Sequence, residues 1–94
     1  MQLIENDSQM QQVFRPATEQ SLTSLDPGAV AVVSTVESHD DPNVLRVCEL
    51  GLIPGVWVEL VIKGSNTGYP YLLRFNHFDL CLDSRLASCF RVAL

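Results

Sequence analysis

Val56-Trp57-Val58-Glu59-Leu60-Val61-Ile62 reads as an alternating, β-branched strand, and the same period returns over residues 69–76 and 78–82. A period of two marks pleated chain with one face buried. It places Val56, Val58, Leu60 and Ile62 on one face and Trp57, Glu59, Val61 and Lys63 on the other. Gly64 to Gly68 reads as a hairpin loop, and Asn76-His77 as a tight turn in which Asn76 best tolerates left-handed backbone. Ala29 to Glu37 is rich in small and β-branched residues, which favours an earlier strand. Its adjacent Val32 and Val33 break the alternation and predict a bulge or burial on both faces. A last strand, Cys89 to Ala93, follows one helical turn, Arg85 to Ser88, capped by Ser84.

Between the first two strands the period lengthens. Asp41 suits an N-cap and Pro42 a first helical position. Val44, Leu45, Val47, Cys48 and Leu50 form an apolar stripe, with Arg46 and Glu49 pointing away. Gly51 stands where a helix ends in left-handed backbone. Pro54-Gly55 supplies the centre of a type II turn, and Asp26-Pro27-Gly28 marks another turn. Leu22 and Leu25 suit a short helical or 3₁₀ turn plugging one end of the core. The pattern predicts a mainly β domain: a small, partly open barrel of five strands with one short helix and one late helical turn.

Residues 1–20 form a polar tail before the domain, which spans 21–94. Asp7 or Ser8 could cap a short helix there, and Met10, Val13 and Phe14 could dock on the domain or on a partner. With 94 residues, one domain is expected and a deep substrate pocket is not. The formal charge is −5, with 6 basic residues against 11 acidic. No basic stripe is available for phosphate neutralisation, so nucleic acid is not an expected partner, nor is an anionic lipid surface. Three cysteines without CxxC spacing fit reduced thiols in a cytosol. No signal-peptide pattern and no membrane-spanning run are visible.

Neither catalytic nor metal chemistry is expected. Cys48, Cys81, Cys89, His39, His77, Asp79 and Asp83 lack the spacing of a ligand set. No nucleophile elbow is present, and the Gly64–Gly68 loop lacks the lysine of a phosphate loop. Trp57 stands out instead. It lies opposite the core face of its strand, where it either packs under the N-terminal segment or meets a partner. Val61 shares its face, and Leu72 could extend the patch from the neighbouring strand.

The string Arg46-Val47-Cys48-Glu49-Leu50-Gly51-Leu52-Ile53-Pro54-Gly55 resembles the family of ferrous iron transport protein A, FeoA. Leu22 to Gly28, Pro70-Tyr71, Leu80-Cys81-Leu82 and Ala87 match further pieces of that family's pattern in order. Departures include Val47 and Cys48 in place of leucine, and His77 near a usual glycine. The resemblance implies an SH3-like barrel, also found at the C-terminus of iron-dependent repressors. It further implies a cytoplasmic, non-enzymatic protein without a cofactor. Such a protein would bind the cytoplasmic part of FeoB, a GTP-hydrolysing ferrous iron permease, and bias its assembly or turnover. A monomer is expected. Gly28, Gly51, Pro54 and Gly55 are then structural turn residues, while Arg46, Glu49, Leu52, Pro54, Trp57 and Val61 are candidates for partner contact. Two other functions stay open: a small Fe(II) carrier or sensor, and a detached repressor-type module that binds a peptide. A peptide groove would have to draw on Trp57, Tyr69 and Tyr71.

Overall fold

The computed structural model describes residues 19–94. The readings of residues 1–18, including the capped helix and the docking of Met10, Val13 and Phe14, lie outside the described residues. Six strands form one antiparallel sheet: β1 (Gln20–Ser21), β2 (Val30–Val36), β3 (Trp57–Ile62), β4 (Tyr71–Phe75), β5 (Phe78–Leu82) and β6 (Phe90–Ala93). The order across the sheet is β1-β6-β2-β3-β4-β5. Two points of the expected architecture are corrected. The strands number six because Gln20 and Ser21, at the junction between what reads as the tail and the domain, already pair with Val92 and Arg91. The sheet also stays open, since β1 and β5 are its two edges and do not pair with each other.

A 3₁₀ turn, Leu22–Ser24, follows β1, and its Leu22, with Leu25 just beyond, is buried in the core. Helix α1 (Pro42–Glu49) joins β2 to β3, and the single turn α2 (Ser84–Ala87) precedes β6. Asp41 caps α1, its Oδ1 accepting the Asn43 N–H at 2.8 Å, with Pro42 in the first turn. For α2 the cap is Asp83 rather than Ser84: the Asp83 Oδ1 accepts the Leu86 N–H at 2.8 Å. The carboxylate reaches one orphan amide of the turn.

The buried face comes from every layer of the chain. Ala31, Val33, Val58, Leu60, Leu73, Phe75, Phe90 and Val92 contribute from the strands, and Val44 and Val47 from α1. The stripe on α1 is narrower than its sequence suggests. Leu45 and Leu50 are about half exposed, and Cys48 is only partly buried. A helix of eight residues buries one row of side chains in the core, here Val44 and Val47.

Two irregularities set which residues face solvent. The β2–β6 register slips between Val33 and Thr35, at the place where adjacent valines foretell a bulge. There Glu19 Oε2 accepts hydrogen bonds from Ser34 Oγ at 2.7 Å and from Thr35 Oγ1 at 2.9 Å. The β3–β4 register slips between Leu60 and Ile62. Strict alternation puts Ile62 inside; the slip carries it to the face of Leu72, and it is 55% exposed. Asn76 and His77, with φ of 50° and 70°, form the two-residue turn between β4 and β5. Both angles positive are what a type I′ hairpin needs to match strand twist. The turn brings Phe75 and Phe78 together edge to face, with ring centroids 4.9 Å apart.

Candidate partner-binding surface

The corner from α1 into β3 is built by hydrogen bonds at successive levels. The Gly51 N–H donates to the Cys48 carbonyl at 2.9 Å and the Leu52 N–H to the Val47 carbonyl at 3.4 Å. This pair is the Schellman arrangement, which closes a helix with a left-handed residue; Gly51 has φ of 115°. In that arrangement the residue after the glycine folds back onto the last helical turn. Leu52 is accordingly 0% exposed and shares a core cluster with Val47. Ile53-Pro54-Gly55-Val56 then forms the expected turn, its Val56 N–H donating to the Ile53 carbonyl at 3.1 Å. The turn is stitched to β2, because the Gly55 N–H donates to Val33 at 2.8 Å and the Val33 N–H to Val56 at 2.9 Å. Gly28 and Gly55 both have positive φ in their turns.

Leu52 is therefore removed from the candidate contact set, since a residue sealed beneath the corner offers no surface. Arg46, Glu49 and Pro54 are exposed around it, and so are Ile53 and Leu50, the latter on the stripe that the sequence pattern places inside. Trp57 is 61% exposed at the start of β3, on the outer face of the sheet. Val32 lies directly opposite it on β2, and Val30 lies opposite Glu59. Val30, Val32, Trp57 and Glu59 thus form a two-by-two patch on one face. Alternation within β2 could have named Val30 and Val32, but the valine pair ahead of the bulge hides which members point outward.

Leu72 and Val61 do not extend this patch. A charged row crosses the sheet between them and Trp57: Glu59 opposite Arg74, and Arg74 opposite Asp79. Arg74 Nε donates to Asp79 Oδ1 at 2.8 Å, with a longer contact of 3.4 Å from Nη2 to Oδ2. The hydrogen bond to Asp79 holds the guanidinium pKa above its usual value and the Asp79 carboxyl below its own. Beyond this row lies a second apolar strip of Val61, Ile62 and Leu72, with exposed Cys81 opposite Leu72.

The other candidate chemistries find no gathering. Among the described residues, no three His, Cys, Asp or Glu side chains approach as a metal-ligand group. Asp79, one tempting donor, is engaged by Arg74. A shallow groove of 270 Å³ runs between the 64–70 loop and α2, lined by Ser65, Asn66, Tyr69, Pro70, Ser84 and Arg85 among others. It is not the aromatic groove a proline-rich peptide needs. Trp57 does not line it, and Tyr71 is buried at 4% exposure, leaving Tyr69 alone. No described helix is long and apolar enough to cross a membrane.

The strand order, the short helix between β2 and β3 and the Gly51 corner define a fold with known relatives. FeoA of Stenotrophomonas maltophilia, a prokaryotic SH3 domain protein determined with zinc, superposes with a TM-score of 0.67. Its identity is 29%, over 78% of this chain and 88% of that one. FeoA of Chlorobium tepidum gives 0.68 at 25% identity, over 80% and 70% of the two chains. A manganese-dependent transcriptional repressor gives 0.71 at 19% identity, over 84% of this chain and 42% of the repressor, a likeness of fold alone. No curated protein sequence matches. The SH3-like expectation thus holds, and since the FeoA domain model matches residues 20–94, which is most of its length, this chain belongs to the FeoA domain family.

Proposed function

We propose that this protein is a cytoplasmic, non-enzymatic accessory protein of ferrous iron uptake that binds the cytoplasmic part of a FeoB-type GTPase-permease and modulates its assembly or activity. The observation that carries the reading is Trp57. It is a large aromatic on the outer sheet face of an FeoA-family domain, 61% exposed and backed by Val32. Aromatic residues of this kind supply much of the energy of interface centres. The exposed corner residues Arg46, Glu49 and Pro54, with Leu50 and Ile53, provide further contact surface. Val61 belongs to the second apolar strip and is assigned to the margin of the contact.

Such a protein influences the transporter only if it binds one state of it more tightly than another; equal affinity for both would shift nothing. Iron is the cargo of the permease in this scheme and is not handled by the accessory protein. The test is a binding titration of the full chain against the purified cytoplasmic region of a FeoB-type permease. Saturable binding that Trp57→Ala weakens at least about tenfold is expected. Unchanged affinity in that variant removes Trp57 from the surface, and absence of binding by the parent protein removes the function.

A further inference from the structure

The four-residue patch on β2 and β3 has an electrostatic side that its apolar members conceal. Glu59 lies two residues beyond Trp57 on the same strand, so both side chains leave the same face, with Val30 directly across from the carboxylate. Arg74 stands opposite Glu59 but gives its Nε and Nη2 to Asp79. Among the described residues, Glu59 makes no side-chain hydrogen bond and no ion pair at contact distance; its charge reaches Arg74 only through space, as the last of the influences on that guanidinium. The outer row of Glu59, Arg74 and Asp79 therefore carries two negative charges against one positive. The whole chain, at −5, adds to the same sign.

Resting on the reading of the Trp57 face as a partner surface, we infer that this patch receives a cationic segment of the partner. An arginine or lysine of that segment would lie over the Trp57 ring and present its charge to Glu59, while neighbouring apolar side chains settle on Val30 and Val32. The ring face attracts a cation electrostatically. A half-buried carboxylate without a hydrogen-bond partner beside it holds the cation in one place, since Arg74 gives its hydrogen bonds to Asp79. A partner of acidic surface would meet repulsion from Glu59 and from the net charge of the chain. An uncharged apolar partner would have to cover Glu59 and leave it unpaired, which is costly.

Trp57 is the single tryptophan of the chain, so its emission reports this patch alone. The full chain is titrated with a synthetic amphipathic peptide of leucine and arginine, and with a counterpart in which glutamate replaces every arginine. The arginine peptide is expected to shift the emission saturably, and the glutamate peptide to leave it unchanged. Glu59→Gln is expected to weaken the arginine peptide roughly fivefold, the scale of one exposed ion pair shared with a ring contact. Asp40→Asn, which removes the same charge from the loop before α1, should leave its affinity as it was. Equal loss in both variants reduces the effect to bulk charge and overturns the proposal. An equal response to both peptides, or none to either, does the same. Emission that changes with protein concentration assigns the patch to a second copy, and emission altered by Phe14→Asp assigns it to the N-terminal segment; either result also overturns it. Binding of the permease region that is lost in Trp57→Ala but intact in Glu59→Gln leaves the partner surface standing and removes only its cationic character.

Discussion

Gly51 closes α1 directly against Asn76. A Cβ built on Gly51 would stand 2.8 Å from the Asn76 side-chain nitrogen, and Phe75 Cε2 lies 3.9 Å away. The helix stop and the β4–β5 hairpin thus meet at one point, although they are far apart in sequence. Both are also left-handed, Gly51 at φ of 115° and Asn76 at 50°.

Replacing Gly51 with alanine is therefore expected to cost stability mainly through backbone strain at φ of 115°, with a smaller part from moving the Asn76 amide aside. A residue held in such backbone costs about 1–3 kcal/mol. In a domain whose total stability is roughly 5–15 kcal/mol, this is a large share. Thermal unfolding of Gly51→Ala should shift downward by several degrees. Adding Asn76→Gly, which removes the obstructing amide and keeps a residue suited to positive φ, should recover part of the loss. A double variant no better than the single one would place the whole penalty in the backbone.

Leu52→Ala and Trp57→Ala are expected to fail in different ways. Leu52 is fully buried, and removing a buried leucine costs about 2–5 kcal/mol through lost transfer energy and the cavity left behind. Trp57 projects from the sheet, and its loss should change stability by no more than about 0.5 kcal/mol. Denaturant unfolding separates the two before any binding is measured. A Leu52→Ala protein that unfolds at the parent midpoint would contradict the packing of the corner.

The contrast shows where the chain is legible and where it is not. Asp41-Pro42, Gly51 and Pro54-Gly55 announce their caps and turns because each needs a particular backbone chemistry that few residues supply. The SH3-like identity followed from their order. Linear spacing does not place Leu52, because a Schellman closure turns the residue after the glycine inward. The place of Ile62 depends on a register slip within its own strand, and the lack of a hydrogen-bond partner at Glu59 depends on where Arg74 points. Gln20 and Ser21 lack strand character of their own and join the sheet only through β6. Local rules read the elements, while the outer face depends on pairings between distant strands.

The three cysteines should react at different rates. Cys81 is exposed on the outer face of β5, Cys48 is partly buried and Cys89 is buried. Burial pushes the Cys48 thiol pKa up, and the nearby Glu49 charge adds to the shift, which lowers its reactive thiolate fraction at neutral pH. Alkylation of the native protein followed by peptide mass mapping should show Cys81 modified first. Modification of Cys48 or Cys89 ahead of Cys81 would contradict the burial of the helix and of the β6 entry.

Acid stability should carry a signature of Asp41. Its carboxylate accepts the Asn43 N–H, and its Oδ2 meets Arg85 Nη1 at 3.1 Å, tying the start of α1 to α2. The backbone hydrogen bond first, and Arg85 second, hold its pKa below the ordinary value of 3.8. A carboxyl depressed in the folded state stabilises the protein above its unfolded pKa, and that contribution is lost as pH falls through the folded value. The stability gap between the parent and Asp41→Asn should be constant near neutrality. It should begin to close near pH 3.8 and vanish below the depressed value. Because the ion pair with Arg85 lies at the surface, where ions screen it, raising the salt concentration should narrow the gap at neutral pH. Arg85→Gln should reproduce the salt-dependent part while leaving the Asn43 cap in place. Denaturant titrations across this range measure all three proteins, and a gap that widens toward acid would show that Asp41 is not stabilised as a carboxylate in the fold.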